Sequence, residues 1–325
     1  MNRSIIPFKA VCAAALLATM SSLGFAQSDY PSRPIKIVVP LPPGPIADVV
    51  PRIIAEKLAA RWTQPVIIEN RPGAALNIGA EAVARAEPDG YTLLATPPGP
   101  LVVSQHFFPK LAFDPRAFVP VSIMVNVPAV LVANPKVPVS TFAQLVAYAK
   151  SNPGKLSYGS PGTGNTPQLA MEMLMTTAGI QFLHVPYQGL APALRDLLAG
   201  HVDVMIDNLG NVVEHIRDDR LKLIAASTEA RLPQFPDVPT IAETFPGFTH
   251  MDWFALVAPA KTPPEIAAKL SRAIAEVLRQ PEIAKRMSEL NVTPVGSSPA
   301  EAAALIKQES HRWQQVIAAA GLKAE

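Results

Sequence analysis

A β-branched run, Ile35 Lys36 Ile37 Val38 Val39, stops at Pro40 Leu41 Pro42 Pro43 Gly44 Pro45, and a segment with apolar residues at Val49, Ile53, Ile54 and Leu58 follows at once. The pattern predicts a strand, a stiff loop and a helix N-terminus in direct succession, which is where α/β sheets bind anions. The same order recurs at 156–174, around Gly159 Ser160 Pro161 Gly162 Thr163 Gly164 Asn165 Thr166. A chain that builds this unit twice is expected to present two jaws.

Further strand-like runs fall at 65–69, 92–95, 121–125, 129–133, 182–185, 202–206 and 221–227, with helical patterns between most of them. Strand alternating with helix predicts an α/β architecture, a mostly parallel sheet with covered faces. Thr141 with Gln144, Thr240 with Glu243, Thr262 with Glu265 and Ser298 with Glu301 have capping-box spacing. Across 265–279, Ile266, Leu270, Ile274 and Leu278 share one helical face and read as core. Proline occupies 35 of 325 positions, about twice the usual ~5%. It punctuates apolar segments, so it marks the ends of elements and not a disordered tract. Crossings between lobes are expected near 126–133 and 245–255.

The first 26 residues carry Arg3 and Lys9, then an apolar alanine-rich run, then Gly24 and Ala26 in the small-residue positions of an export-signal cleavage site. Cleavage after Ala26 would remove Cys12, the single cysteine, leaving no thiol for a disulfide or thiolate metal site. It would also take 28 basic residues to 26, level with the 26 acidic ones. A formally neutral chain without a basic run argues against nucleic-acid and membrane-surface binding. Roughly 300 remaining residues exceed what one core comfortably supports, so two lobes are expected.

Catalytic signatures are missing from the sequence. Gly159 Ser160 Pro161 Gly162 is not a Gly-x-Ser-x-Gly nucleophile elbow, no phosphate-loop motif occurs, and Gly162 Thr163 Gly164 lacks the third glycine of a dinucleotide fingerprint. The six histidines show no metal-ligand spacing and read as structural, and no cofactor or metal is expected.

Binding chemistry remains. With four prolines in the first loop, its backbone donors are confined to Leu41, Gly44, Ile46, Ala47 and Asp48. An acid at a helix start commonly caps, and Asp48 is read that way. The second loop offers backbone donors from Ser160, Gly162, Thr163, Gly164, Asn165 and Thr166, plus three hydroxyls, with glycines that admit close approach. Thr96 and the pair Asp207 Asn208 supply polar tips at two further strand ends.

Several motifs in order carry a family resemblance: Tyr30 Pro31, Val38 Val39 Pro40, Glu69 Asn70 Arg71 Pro72 Gly73 Ala74, Pro88 Asp89 Gly90 Tyr91 Thr92 Leu93 Leu94, and Asn152 Pro153 Gly154 Lys155 Leu156. His184 Val185 Pro186 Tyr187 Gln188 Gly189, Pro236 Asp237 Val238 Pro239 Thr240 and Ala258 Pro259 Ala260 continue it. The chain resembles the Bug, or TctC-like, extracytoplasmic solute receptors of tripartite tricarboxylate transporters, over nearly all of the mature region. The resemblance implies a type II periplasmic-binding fold with two α/β lobes closing on a ligand, here 27–127 plus 246–325 and 128–245. It implies small carboxylates as ligands, held between the loop 41–48 and the loop 160–168, with Asp207 at a family acidic position of the cleft.

The residues expected to contact ligand are Leu41, Gly44, Ile46, Ala47, Asn77, Thr96, Ser160, Gly162, Gly164, Asn165, Thr166, Gln168 and Asp207. Three departures stand out: Pro45 in place of a second glycine, Ala75 Leu76 where glycines are frequent, and Gln168 where a histidine is frequent. They make the pocket poorer in donors and more apolar, which favours a carboxylate with a hydrophobic or aromatic body over a citrate-like polyanion. The expected protein is a periplasmic monomer serving transporter membrane subunits or a sensor kinase. The competing reading is an exported hydrolase using Ser160 with His184.

Overall fold

The computed structural model describes residues 30–322; the export signal expected at 1–26 lies outside the described residues. In chain order the first half holds β1 (Ile35–Val39), α1 (Ile46–Trp62), β2 (Val66–Asn70), α2 (Asn77–Ala84), β3 (Thr92–Thr96), α3 (Ser104–Phe107) and β4 (Val119–Ala133). Next come α4 (Phe142–Ser151), β5 (Ser157–Ser160), α5 (Thr166–Ala178), β6 (Leu183–Pro186), α6 (Leu190–Ala199), β7 (Val204–Asn208), α7 (Leu209–Arg217) and β8 (Lys222–Ala226). The chain closes with β9 (Met251–Ala258), α8 (Pro264–Leu278), α9 (Pro281–Glu289), β10 (Thr293–Pro294) and α10 (Pro299–Ala319).

Two lobes share one strand plan. In the first lobe β2, β1 and β3 run parallel, β9 pairs antiparallel with β3, and β4 pairs antiparallel with β9. In the second, β6, β5 and β7 run parallel, β4 pairs antiparallel with β7, and β8 pairs antiparallel with β4. β4 therefore belongs to both sheets: it is the last strand of one lobe and the inserted antiparallel strand of the other. Register shifts beside Ser122, Val125 and Val132 accompany this passage; bulges bend and twist a strand, which lets 15 residues serve two sheets. The repeat legible at 35–48 and 156–174 thus extends to whole lobes.

Each sheet is covered on both faces. In the first lobe α1 and α8 pack on one side around Ile37, Ile54, Leu58, Leu270 and Phe254, and α10 packs on the other around Val38, Leu94, Trp253 and Trp313. Leu270, Ile274 and Leu278 are buried and Ile266 packs at the rim, as their spacing predicts. Each such aliphatic side chain contributes roughly 1.5–3 kcal/mol on burial. The second lobe repeats the pattern around Leu145, Tyr158 and Leu174 on one face and Val130, Leu197 and Val212 on the other.

Three local expectations change. The runs at 121–125 and 129–133 are one strand, and the stretch expected only as a crossing at 245–255 contains most of β9. β9 is buried from Asp252 to Ala258, so it shows no polar alternation to read. Capping boxes form at Thr141, Thr240 and Ser298, whereas Thr262 donates to the Pro259 carbonyl at 2.8 Å and Pro263 takes the N-cap position of α8.

Candidate functional site

In the first jaw, Pro45 occupies the N-cap position of α1 and offers no side-chain cap. Asp48 compensates by reaching back to accept the Gly44 N–H at 3.1 Å. Arg52 donates to both its oxygens at 2.9 and 3.0 Å, and Asn70 Nδ2 donates to Asp48 Oδ1 at 2.7 Å and to the Leu41 carbonyl at 2.8 Å. Burial pushes the Asp48 carboxyl up, but the bonds from Arg52, Asn70 and Gly44 outweigh it and hold the group below the usual carboxylate range. Asp48 does not cap the helix, as an acid at a helix start is expected to do; it braces the loop before it.

This bracing consumes donors. The N–H groups of Asp48 and Val49 go to the Pro45 carbonyl at 2.8 and 3.1 Å, and that of Ile46 crosses to Asn211 Oδ1 in the second lobe at 3.2 Å. Among the described residues only the N–H groups of Leu41 and Ala47 are left without an acceptor in this loop.

The second jaw is held differently. Asn165 caps α5 by accepting the Gln168 N–H at 3.1 Å, and its Nδ2 donates to the Gly162 carbonyl at 2.7 Å. Gln168 Oε1 accepts the Gly164 N–H at 2.6 Å, and Gly162 donates to Ser160 Oγ at 3.3 Å. Among the described residues the N–H groups of Thr163, Asn165 and Thr166 have no acceptor. They sit at the positive end of a 13-residue helix, which favours an anion by ~0.3–1 kcal/mol. Glycine is required at 164, where φ is +82° and a Cβ would lie 2.9 Å from the Phe107 ring of the other lobe.

Ser160 and His184 are brought together, with Oγ 2.7 Å from Nε2. The Ser160 hydroxyl lies 2.9 Å from the Gly162 carbonyl as well as beside His184 Nε2, so the ring joins a set of bonds that holds the loop backbone. Among the described residues no carboxylate bonds the ring to orient it as a base. His184 stacks on Tyr158 at 4.6 Å, and burial lowers its pKa. Ser160 is fully buried. The pair is a strut.

Two other expected residues are engaged within the first lobe: Thr96 is buried and donates to the Pro97 carbonyl at 2.9 Å, and Asn77 Oδ1 accepts the Ser104 hydroxyl at 2.7 Å. Asp207 is buried near the end of β7, and Asn211 links it to the first-jaw loop. Its Oδ1 accepts the Asn208 N–H at 2.7 Å and Asn211 Nδ2 at 3.2 Å, while its buried Oδ2 has no protein partner. Desolvation, with a smaller contribution from Asp252, pushes Asp207 up to about 7. Asp252, also fully buried, is pushed up to about 6 by desolvation, partly offset by the Thr166 hydroxyl and the Asn208 amide.

The lobes touch on both sides of Asp207. On one side Leu169 of α5 joins the first-lobe cluster of Trp253 and Phe107, and Arg312 of α10 reaches Met173 of α5. On the other, a Cβ at Gly210 would overlap the Leu290 carbonyl oxygen and come 2.9 Å from the Ile46 side chain, and Gln234 Nε2 donates to Asn291 Oδ1 at 3.2 Å. Asn211 and Asp252 escaped the sequence reading. An asparagine inside a helix and an acid heading a strand carry no local signature.

A family model described as the tripartite tricarboxylate transporter family receptor matches residues 50–322. Protein BugT of Bordetella pertussis is 37% identical over 297 residues, covering 90% of this chain and 91% of the relative. Among solved structures, R. palustris Rpa4515 with adipate superposes with a TM-score of 0.86 at 34% identity, covering 90% of this chain and 99% of the other. MatC from Rhodopseudomonas palustris with bound malate gives a TM-score of 0.82 at 33% identity, covering 89% and 100%. The two-lobed fold, the paired jaw loops and these matches agree: the chain belongs to the receptor family of the tripartite tricarboxylate transporters, which includes the Bug proteins.

Proposed function

We propose that the mature chain is a periplasmic receptor that captures a small organic carboxylate between its lobes, 27–127 plus 246–325 and 128–245, and does no chemistry on it. The observation that carries this reading is the set of acceptor-free N–H groups at the strand-to-helix loops of the two lobes, Leu41 and Ala47 in one and Thr163, Asn165 and Thr166 in the other. Amides at helix starts suit a carboxylate. Adipate and malate in the related structures are ligands of that class.

Ala47, Thr163, Asn165 and Thr166 are assigned to the ligand carboxylate, with Leu41 at the rim and Gly162, whose N–H goes to Ser160 Oγ, backing the second loop. Gly44, Gly164 and Gln168 shape the loops, Ser160 stiffens the second jaw, and Thr96 and Asn77 fix the first-lobe wall. The donor-poor first jaw suits an apolar or aromatic body. No helix among the described residues is long and apolar enough to cross a membrane. Delivery to transporter membrane subunits or to a sensor kinase by a monomer fits the family.

A thermal-shift panel of mono-, di- and tricarboxylates tests the reading, because a ligand of the folded state stabilises it by RT ln(1 + [L]/Kd). At least one carboxylate should raise the melting temperature in a dose-dependent way. A panel without any shift would overturn the proposal.

A further inference from the structure

Among the described residues the Asn211 side chain joins the first jaw to the buried Asp207: Oδ1 accepts the Ile46 N–H at 3.2 Å and Nδ2 donates to Asp207 Oδ1 at 3.2 Å. Its orientation is fixed by chemistry. An amide facing a carboxylate must turn its NH2 toward it, which leaves the carbonyl oxygen for Ile46. The backbone at this point is pressed against the first lobe, where Gly210 has no room for a Cβ beside Ile46 and Leu290. Asn211 therefore sits where a ligand group reaching for the first jaw would go.

Two consequences follow for a ligand carrying a carboxylate at each end. The first jaw has already lost the Gly44 donor to Asp48, the Ile46 donor to Asn211 and the Asp48 and Val49 donors to Pro45. Behind Asn211 stands Asp207, whose unpartnered Oδ2 is wholly buried. A second carboxylate brought there would meet few donors and another acid, and a desolvated group without partners is costly. The second jaw has no such occupant, and its Thr163, Asn165 and Thr166 amides, with the Ala47 amide that the first jaw keeps, are free to take one carboxylate.

We propose that Asn211 is a specificity-determining residue: by filling the first jaw with its own amide, it makes the receptor select carboxylates with a single anionic end and a neutral tail. This rests on the carboxylate-receptor reading above and adds a count of the anionic ends. Asn211 acts as a built-in stand-in for the second carboxylate, and the neutral tail of the ligand packs beside it.

Calorimetric titration with matched pairs tests this, using hexanoate against adipate and benzoate against terephthalate, on the mature wild type, Asn211→Ala and Asn211→Asp. The wild type should prefer the single-ended member of a pair by about tenfold or more, the discrimination expected of one unmatched polar group. Asn211→Ala frees the Ile46 N–H and should bring the ratio close to one. Asn211→Asp still accepts that N–H and adds charge, so it should keep the preference. A general packing role would move both variants alike, and circular-dichroism melts confirm that each is folded. Wild-type binding with a ratio unchanged in Asn211→Ala, or a wild-type preference for the double-ended acids, would overturn this proposal alone. Binding of none of the four would overturn the carboxylate reading with it.

Discussion

Ser160 Oγ lies 2.7 Å from His184 Nε2 and 2.9 Å from the Gly162 carbonyl, so a pair that looks like a nucleophile and its base also holds the backbone of the second jaw. Ser160→Ala should cost about 1 kcal/mol, because it removes a buried hydroxyl that bonds both the Gly162 carbonyl and the half-buried His184 ring. Hydrolysis of p-nitrophenyl acetate should stay at the buffer rate in both proteins. Saturable hydrolysis by the wild type that vanishes in Ser160→Ala would restore the hydrolase.

Gly164 faces Phe107 and Phe108 across the cleft with φ at +82°. Gly164→Val should strain the loop and hold the lobes apart, weakening capture of any carboxylate that binds the wild type by about tenfold or more. Small-angle scattering should then show less compaction on ligand addition than in the wild type. Unchanged compaction and affinity would mean that this contact does not limit closure.

Asp48 ties the first loop to Arg52 and Asn70. Asp48→Ala should lower stability by about 1–3 kcal/mol by removing the charge-assisted hydrogen bonds that Arg52, Asn70 and Gly44 make to a buried carboxylate. The folded-state pKa is lowered, so the contribution is present above the unfolded value near ~3.9 and fades as pH falls through the folded one. Denaturant melts should show the wild-type advantage at pH 7 shrinking below about pH 4.

Asp207 has the opposite sign. Its folded-state pKa is pushed up to about 7, so between the unfolded value near ~3.9 and about 7 the native state holds the extra proton and stability falls as pH rises. Asp207→Asn removes that dependence and can still accept from Asn211. The variant should gain on the wild type between pH 5 and pH 8, by up to a few kcal/mol. A constant difference across that range would contradict the buried-acid account.

Both jaws could be found in the sequence, because each is announced by a β-branched run, a proline- or glycine-rich break and an apolar helix stripe. The repeated lobe plan followed from them once a family resemblance supplied the order of motifs. What stayed hidden was non-local. Which N–H groups remain free depends on Asp48 folding back to Gly44 and on Asn211 arriving from 165 residues away. The double service of β4 was equally hidden, since Asn126 and Pro128 break the pattern into two apolar runs where the backbone makes one strand.

The central claim is that backbone amides of both jaws grip one carboxylate. Amide NMR of the 15N-labelled mature protein, titrated with the carboxylate giving the largest thermal shift, tests it residue by residue. The account predicts that the Ala47, Thr163, Asn165 and Thr166 N–H resonances move together along one saturation curve. Resonances that move only at the outer edge of the second lobe, around Ile180 and Phe182, while those four stay fixed, would contradict it.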